Sequence, residues 1–124
     1  IRIYSLNRRT RLNELPNNFD EEWANIILEI YGGCVLTGEK EDLHWDHFIP
    51  VSKGGGTTYG NMIPLKSSIN IRKSNKNPID FFIEEGMSYE RLYDILWFMA
   101  YFNDLTISEY IEQVYEAFKR KEEE

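Results

Sequence analysis

Residues 43–65 of the chain are LHWDHFIPVSKGGGTTYGNMIPL, which is two short apolar runs separated by a glycine-rich loop. The first run covers residues 43–51, and the second covers residues 61–65. Short β-type runs on either side of such a loop are typical of a β-hairpin. The mostly polar residues 67–75 that follow are predicted to form a short helix with Ile69 facing the core. The middle of the chain is therefore predicted to be strand, loop, strand and helix.

Helix signals lie on both sides of this hairpin. Before it, a capping box from Asn18 to Glu21 predicts a helix over about residues 19–31 that stops at the glycine pair 32–33. The side chains expected on its core face are Trp23, Ile26, Ile27 and Ile30. After the hairpin three more helices are predicted, with starts marked by Asn77-Pro78, by Ser88 and by a Thr106–Glu109 box. The predicted fold class is α+β, with a hairpin and short helix embedded in additional α-helices.

The helix predicted from Ser88 is apolar on nearly every side. It is therefore expected either to be central to the core or to meet a partner. The last helix has an apolar stripe at helical spacing, which is typical of a core face.

Length and composition favour one domain of 124 residues. The 15% aromatic content excludes a disordered chain, because disorder requires that there be little apolar surface to bury. We expect a basic N-terminal arm at residues 1–18, a helix and hairpin core at residues 19–77, and a helical extension at residues 78–124. The alternating start of the arm suggests a short strand or an extended segment.

Cys34 is the only cysteine, so no internal disulfide can form. No apolar run approaches the length of about 18 residues that a membrane span requires, and no signal peptide opens the chain. We expect a soluble, cytoplasmic protein of bacterial or phage origin with no membrane partner. Because the chain begins with Ile1 rather than Met, we expect it to be trimmed or excised from a longer polypeptide, which leaves further domains open.

The net charge of −7 is unevenly distributed along the chain. Residues 45–77 hold five basic residues against the single acid Asp46, whereas residues 78–124 hold four basic residues against twelve acidic ones. Charged patches matter more than totals for contact with a polyanion. The middle segment is therefore compatible with nucleic-acid binding despite the acidic total.

Four polar residues of the middle segment have the chemistry needed to hydrolyse a phosphodiester bond: Asp46, His47, Asn61 and Asn70. Because a free histidine titrates at about pH 6.5, an imidazole can deprotonate water at neutral pH, so His47 is the candidate general base. The Asp46 carboxylate and the Asn70 side-chain oxygen are hard ligands that favour Mg²⁺ or Mn²⁺. Asn61 can tie down the loop or hold the His47 segment in place. With one formal negative charge, the site is expected to bind metal weakly and together with substrate phosphate.

The segments LHWDHFIPVSKGG at 43–55, NMIPL at 61–65 and NIRKSNK at 70–76 together resemble the HNH endonuclease motif. The resemblance covers about residues 34–77. The spacing is also similar to that of the HNH domain in RNA-guided DNA nucleases and in a phage junction resolvase.

This resemblance implies a ββα-metal fold in which His47 is the general base, Asp46 and Asn70 are metal ligands, and Asn61 is a positioning amide. The third motif position is Asn70 rather than histidine, as in HNN variants, which supports an oxygen-ligated magnesium ion. Members of the family often bind structural zinc through Cys-x-x-Cys pairs. Because Cys34 stands alone, no structural zinc is expected here.

We therefore expect a metal-dependent endonuclease that acts on nucleic acid, with DNA favoured, and that leaves 5′-phosphate ends. The basic residues expected to contact phosphate are Lys53, Arg72, Lys73 and Lys76, the last three on the outside of the short helix. The alternative is a non-catalytic module that binds nucleic acid or protein on the same scaffold. A homodimer that places two sites on opposite strands is also compatible with the sequence.

Overall fold

The computed structural model describes residues 17–122, with side chains as far as residue 119. The predicted basic arm, residues 1–18, therefore lies outside the described residues except for Asn17 and Asn18. A parallel bridge joins Asn17 to Thr57, so the described chain begins beside the glycine-rich loop.

Five α-helices, two strands and one 3₁₀ turn make up the described fold. In chain order they are α1 (Glu21–Tyr31), β1 (Leu43–His47), the 3₁₀ turn (Val51–Lys53), β2 (Met62–Lys66), α2 (Ser67–Lys73), α3 (Pro78–Glu84), α4 (Tyr89–Phe102) and α5 (Ile107–Glu122). This order confirms the α+β class, with a β-hairpin and a short helix set among further helices. None of the described helices is long and apolar enough to cross a membrane.

The hairpin pairs β1 with β2 along its full length, so that His47 at the end of β1 lies opposite Met62 at the start of β2. The prediction that the first strand continues to residue 51 is wrong. Both backbone groups of Ile49 are hydrogen-bonded to the Asn61 side chain rather than to a neighbouring strand. This contact turns the chain out of the sheet immediately after the candidate site residues.

Helix α1 begins at a different cap from the predicted one. The Asp20 carboxylate accepts a hydrogen bond of 2.8 Å from the Trp23 N–H, which is the N-cap interaction. The side chain of Asn18, the predicted cap, instead accepts a hydrogen bond from the Tyr59 N–H in the loop. The helix ends as predicted at Gly32, whose φ of 75° is left-handed.

The buried face of α1 is formed by Ala24, Ile27 and Tyr31. These residues are three and four positions apart and therefore share one face. Ile26 lies off that face and is 39% exposed, so its predicted core position is wrong.

The predicted starts of the three C-terminal helices are confirmed. Asn77 and Ser88 cap α3 and α4 through their side chains. At α5 the Glu109 N–H donates to the Thr106 hydroxyl, and the Thr106 N–H donates to the Glu109 carboxylate, which is a capping box. The pKa of Glu109 is lowered mainly by the hydrogen bond from the Thr106 backbone. The hydrogen bond with the Thr106 side chain lowers it further.

Buried apolar side chains from all five α-helices and both strands form one cluster. Helix α4 contributes Leu92, Ile95, Leu96, Met99 and Ala100 to it. The opposite side of the same helix exposes four aromatic side chains, which are Tyr89, Tyr93, Trp97 and Tyr101. The inner face of this helix is therefore part of the core, which is one of the two roles predicted for the helix.

The turn between α1 and β1 is fastened by Arg91 of α4. Its Nε donates to the Val35 carbonyl at 3.1 Å, and its Nη2 donates to the Tyr31 carbonyl at 3.0 Å. The sulfur of the buried Cys34 in this turn accepts a hydrogen bond from the Lys66 N–H at 3.3 Å. Burial raises the pKa of the Cys34 thiol, but the hydrogen bonds that reach the sulfur outweigh burial and lower it.

Candidate active site

One cleft of about 550 Å³ lies between the end of β1, the segment that follows it, and the end of α2. Asp46 and His47 line it from β1, and Asn70 lines it from α2. Three of the four predicted site residues therefore share one cavity. Asn61 is buried immediately before β2 and lines a different cavity, beside the glycine-rich loop.

Asp46 and His47 are the last two residues of β1. Because successive side chains of a strand point to opposite faces, the two residues reach different neighbours. Asp46 faces α2, where it meets Lys73, and His47 faces the glycine-rich loop, where it meets Thr57.

The Asp46 carboxylate is paired with a buried cation. Its Oδ2 lies 2.7 Å from the Nζ of Lys73, whose side chain is 0% exposed. The same ammonium donates to the His47 carbonyl at 3.0 Å. The prediction that Lys73 is available on the outside of the short helix is wrong. Lys73 is four residues after Ile69, so both residues lie on the face of α2 that packs inward.

The His47 ring is held from the loop. Its Nε2 lies 2.8 Å from the Oγ1 of Thr57, and both residues are buried. Thr57 is itself fixed, because its carbonyl accepts hydrogen bonds from the N–H groups of Asn18 and Phe19, each at 3.1 Å. When Nε2 carries the proton and donates to Thr57, the other ring nitrogen keeps the lone pair that a base requires.

Asn61 joins two segments through three hydrogen bonds. Its Oδ1 accepts from the Ile49 N–H at 2.9 Å, and its Nδ2 donates to the Ile49 carbonyl at 3.0 Å and to the Gly56 carbonyl at 2.9 Å. The first segment directly follows His47, and the second is the glycine-rich loop. The amide is thus placed to act on the site only by positioning other groups.

Gly55 packs against the same interaction. A Cβ at this position would lie 1.7 Å from the Ile49 carbonyl oxygen and 2.8 Å from the Asn61 Nδ2. Glycine is required here because the backbone of residue 55 lies too close to Ile49 and Asn61 to leave room for a side chain. Turn geometry is instead the reason for the neighbouring Gly54, whose φ is 93°.

The oxygen donors in the cleft suit a hard divalent cation. Asp46 supplies a carboxylate and Asn70 an amide oxygen. Within residues 17–122, no group of three or more His, Cys, Asp or Glu side chains is gathered as a metal cage. A cation held by Asp46 and Asn70 would complete its shell with water and substrate oxygens, as Mg²⁺ commonly does. Because the Lys73 ammonium offsets the Asp46 charge, these residues fit an ion that is bound weakly.

The other three predicted phosphate-binding cations lie outside the cleft, and no Lys or Arg is among the described residues that line it. The Nζ of Lys53 lies 5.0 Å from the centre of the Phe118 ring. Arg72 forms an exposed ion pair with Glu85, and Lys76 lies over an aromatic ring. The described residues that line the cleft are therefore polar or apolar, with Asp46 as their carboxylate and no Lys or Arg among them.

Two contacts of the site, made by Thr57 and Lys73, were not predicted from the sequence. Thr57 stands in a loop with no periodic pattern, and nothing in the sequence marks it as the partner of His47. The signal for Lys73 was present, because its spacing of four residues from Ile69 predicts the same inward face.

A family model described as HNH endonuclease matches residues 32–76. No curated protein was found to match the chain. The matched residues run from the turn before β1 to the residues just after α2. They contain the hairpin, the short helix and all the described residues that line the cleft. Residues 32–76 are therefore the part of this chain that is similar to the HNH endonuclease family.

Proposed function

We propose that the protein is a metal-dependent endonuclease that hydrolyses phosphodiester bonds in nucleic acid, with DNA as the favoured substrate and 5′-phosphate ends as products. The observation that supports this most directly is the single cleft lined by Asp46, His47 and Asn70. The side chains of these residues provide a base and two hard oxygen ligands, which are the groups that the reaction needs.

In this proposal His47 takes a proton from the attacking water through the ring nitrogen that is not bonded to Thr57. The 2.8 Å contact with Thr57 restricts the rotation of the ring, so the base is oriented before substrate arrives. The Asn61 amide keeps the loop that bears Thr57 joined to the segment that follows His47. Thr57 and Asn61 are thus positioning residues.

Asp46 and Asn70 would hold Mg²⁺ or Mn²⁺ in this proposal. When bound, such an ion stabilises the negative charge that builds on the phosphoryl oxygens and on the leaving 3′ oxygen. Lys73 fixes the Asp46 carboxylate and offsets its charge, so a phosphate entering the cleft meets little repulsion from it.

Cleavage of supercoiled plasmid in Mg²⁺ tests the proposal. The His47→Ala variant is expected to lose at least about a hundredfold in rate, because general base catalysis is removed. The matched control is Lys40→Ala, which removes an exposed side chain outside the cleft and should leave the rate unchanged. Excess chelator should stop cleavage by the wild type. Undiminished cutting by His47→Ala, purified in the same way, would rule out the base assignment.

A non-catalytic binding module on the same scaffold is the second candidate. One observation favours it, which is that Lys73 already supplies a cation to the Asp46 carboxylate. Under this function the wild type would shift plasmid in a gel yet leave it intact in Mg²⁺, Mn²⁺, Ca²⁺ and Zn²⁺. Cleavage in any of these ions that depends on His47 would exclude it.

A further inference from the structure

The cleft extends beyond the proposed catalytic groups. His44, Ser74 and Asn75 also line it, and all three residues are exposed. His44 precedes Asp46 by two residues in β1, so the two side chains leave the same face of the strand about 7 Å apart. This separation is comparable to that of successive phosphates along one nucleic-acid strand.

The His44 imidazole has no internal role that would account for it. Within the described part of the chain it makes no hydrogen bond and no ion pair. An imidazole offers at least one N–H donor whether it is neutral or protonated. His44 is therefore a donor that faces the cleft and is available to a ligand.

The backbone at Ser74 is strained where it borders the cleft. Its φ of 48° and ψ of −128° lie in a region that side-chain-bearing residues rarely adopt, and its N–H donates to the Asn70 carbonyl at 3.1 Å. Residues held in sparsely populated conformations cluster at functional sites. This turn ends α2 and brings Ser74 and Asn75 to the cleft wall.

The chemistry of these three side chains fits a phosphate. Serine and asparagine side chains are common phosphate contacts in protein–DNA complexes, alongside arginine and lysine. The lining residues that the structure describes include no Lys or Arg, so the hydrogen-bond donors that they offer a backbone phosphate are side chains such as those of serine and asparagine.

We propose that His44, Ser74 and Asn75 form a second phosphate subsite, which binds the non-bridging oxygens of the phosphate next to the scissile one. This inference rests on the proposed function, since it names a substrate contact of the same cleft. The subsite holds the strand in register and contributes binding rather than chemistry.

A binding cycle tests the subsite. The probe is a short fluorescein-labelled DNA duplex, either unmodified or with one phosphate at a time replaced by a neutral methylphosphonate. Affinity is measured by anisotropy in the His47→Ala background, so that the duplex stays intact. Adding His44→Ala is expected to weaken binding of the unmodified duplex about tenfold, because a hydrogen bond to a charged group is lost. Adding Lys40→Ala, the matched control, should leave affinity unchanged.

The methylphosphonate adjacent to the mapped cut should likewise weaken binding to protein with His44 about tenfold, yet should add less than about twofold once His44 is alanine. Equal losses with and without His44 would overturn the subsite. If the wild type cuts the duplex but the losses are additive, only the subsite falls. If the wild type neither cuts nor binds nucleic acid, the proposed function falls as well.

Ser74→Gly provides a second variant that does not depend on the folding of His44→Ala. Glycine relieves the backbone strain, so the variant is expected to unfold at a higher urea concentration than the wild type. It is nevertheless expected to bind the unmodified duplex more weakly, by about threefold or more. A more stable variant with unchanged affinity would remove Ser74 from the subsite.

Discussion

The ammonium of Lys73 is a buried charge held between two residues of β1. Its side chain is fully buried, and it contacts both the Asp46 carboxylate and the His47 carbonyl. Removing one partner of a buried ion pair typically costs about 3–5 kcal/mol, because the other charge is left in a poorly solvated place. Lys73 therefore links α2, which bears Asn70, to the two site residues of β1.

Replacing Lys73 with methionine should lower the free energy of unfolding by about 3 kcal/mol or more, because the Asp46 carboxylate loses its ammonium partner. Urea denaturation monitored by tryptophan fluorescence measures this change. The control Lys40→Met alters an exposed lysine and is expected to lie within about 0.5 kcal/mol of the wild type.

Adding Asp46→Asn to Lys73→Met should recover much of the lost stability, since the buried carboxylate that has lost its ammonium partner is then removed. A Lys73→Met protein as stable as the wild type would contradict the reading of Lys73 as a structural partner of Asp46.

At the scale of the elements, Arg91 of α4 holds the turn before β1 in place through two hydrogen bonds. One guanidinium from α4 donates to the carbonyl of Tyr31, at the end of α1, and to that of Val35. Helix α1, the turn and helix α4 thus meet at one side chain. The lone Cys34 in this turn accepts a backbone hydrogen bond.

The Arg91→Met substitution should destabilise the fold by about 1.5–3 kcal/mol, the usual contribution of hydrogen bonds that involve a charged group. Arg72→Met is the matched control, because it breaks an exposed ion pair with Glu85 that is worth at most about 1 kcal/mol. Urea midpoints of the two variants provide the comparison. Equal losses of stability in the two variants would show that the Arg91 hydrogen bonds contribute no more than the surface ion pair of Arg72.

Features that depend on neighbours in sequence were predictable. Ser88 and the Thr106–Glu109 box mark helix starts because a cap bonds to backbone only two or three residues away. The cap of α1 was missed for the opposite reason. Asn18 has an equally suitable side chain, but it is recruited by Tyr59, which is distant in sequence.

The same distinction applies to the candidate site. Asp46, His47 and Asn70 could be assembled from sequence, because a hairpin followed at once by a helix brings the end of β1 to the side of α2. Thr57 could not, since the path of a glycine-rich loop is fixed by tertiary contacts. Lys73 was predicted to be exposed because of its charge, although its spacing of four residues from Ile69 places it on the buried face of α2, where it pairs with Asp46.

On the scale of the whole molecule, one apolar cluster unites the hairpin with all five α-helices. The surface charge of the molecule is not favourable to DNA everywhere. A groove beside the 3₁₀ turn is lined by Lys53 together with Glu109, Glu112 and Glu116 of α5. This acidic wall is expected to repel a polyanion, so nucleic acid should approach the cleft from the side of α2.

The salt dependence of DNA binding should therefore be shallow. Each cation that contacts a phosphate contributes about −0.9 to the slope of log K against log salt, so all four predicted cations would give about −4. Lys73 is buried and Lys53 faces the acidic groove, which leaves Arg72 and Lys76 and an expected slope of about −2. Anisotropy titrations of a labelled duplex at several salt concentrations, in the His47→Ala background, measure it. Adding Arg72→Ala and Lys76→Ala should bring the slope towards zero, whereas Lys40→Ala should leave it unchanged. A slope of about −4 that survives both substitutions would contradict this assignment and would move the phosphate contacts to cations elsewhere in the chain.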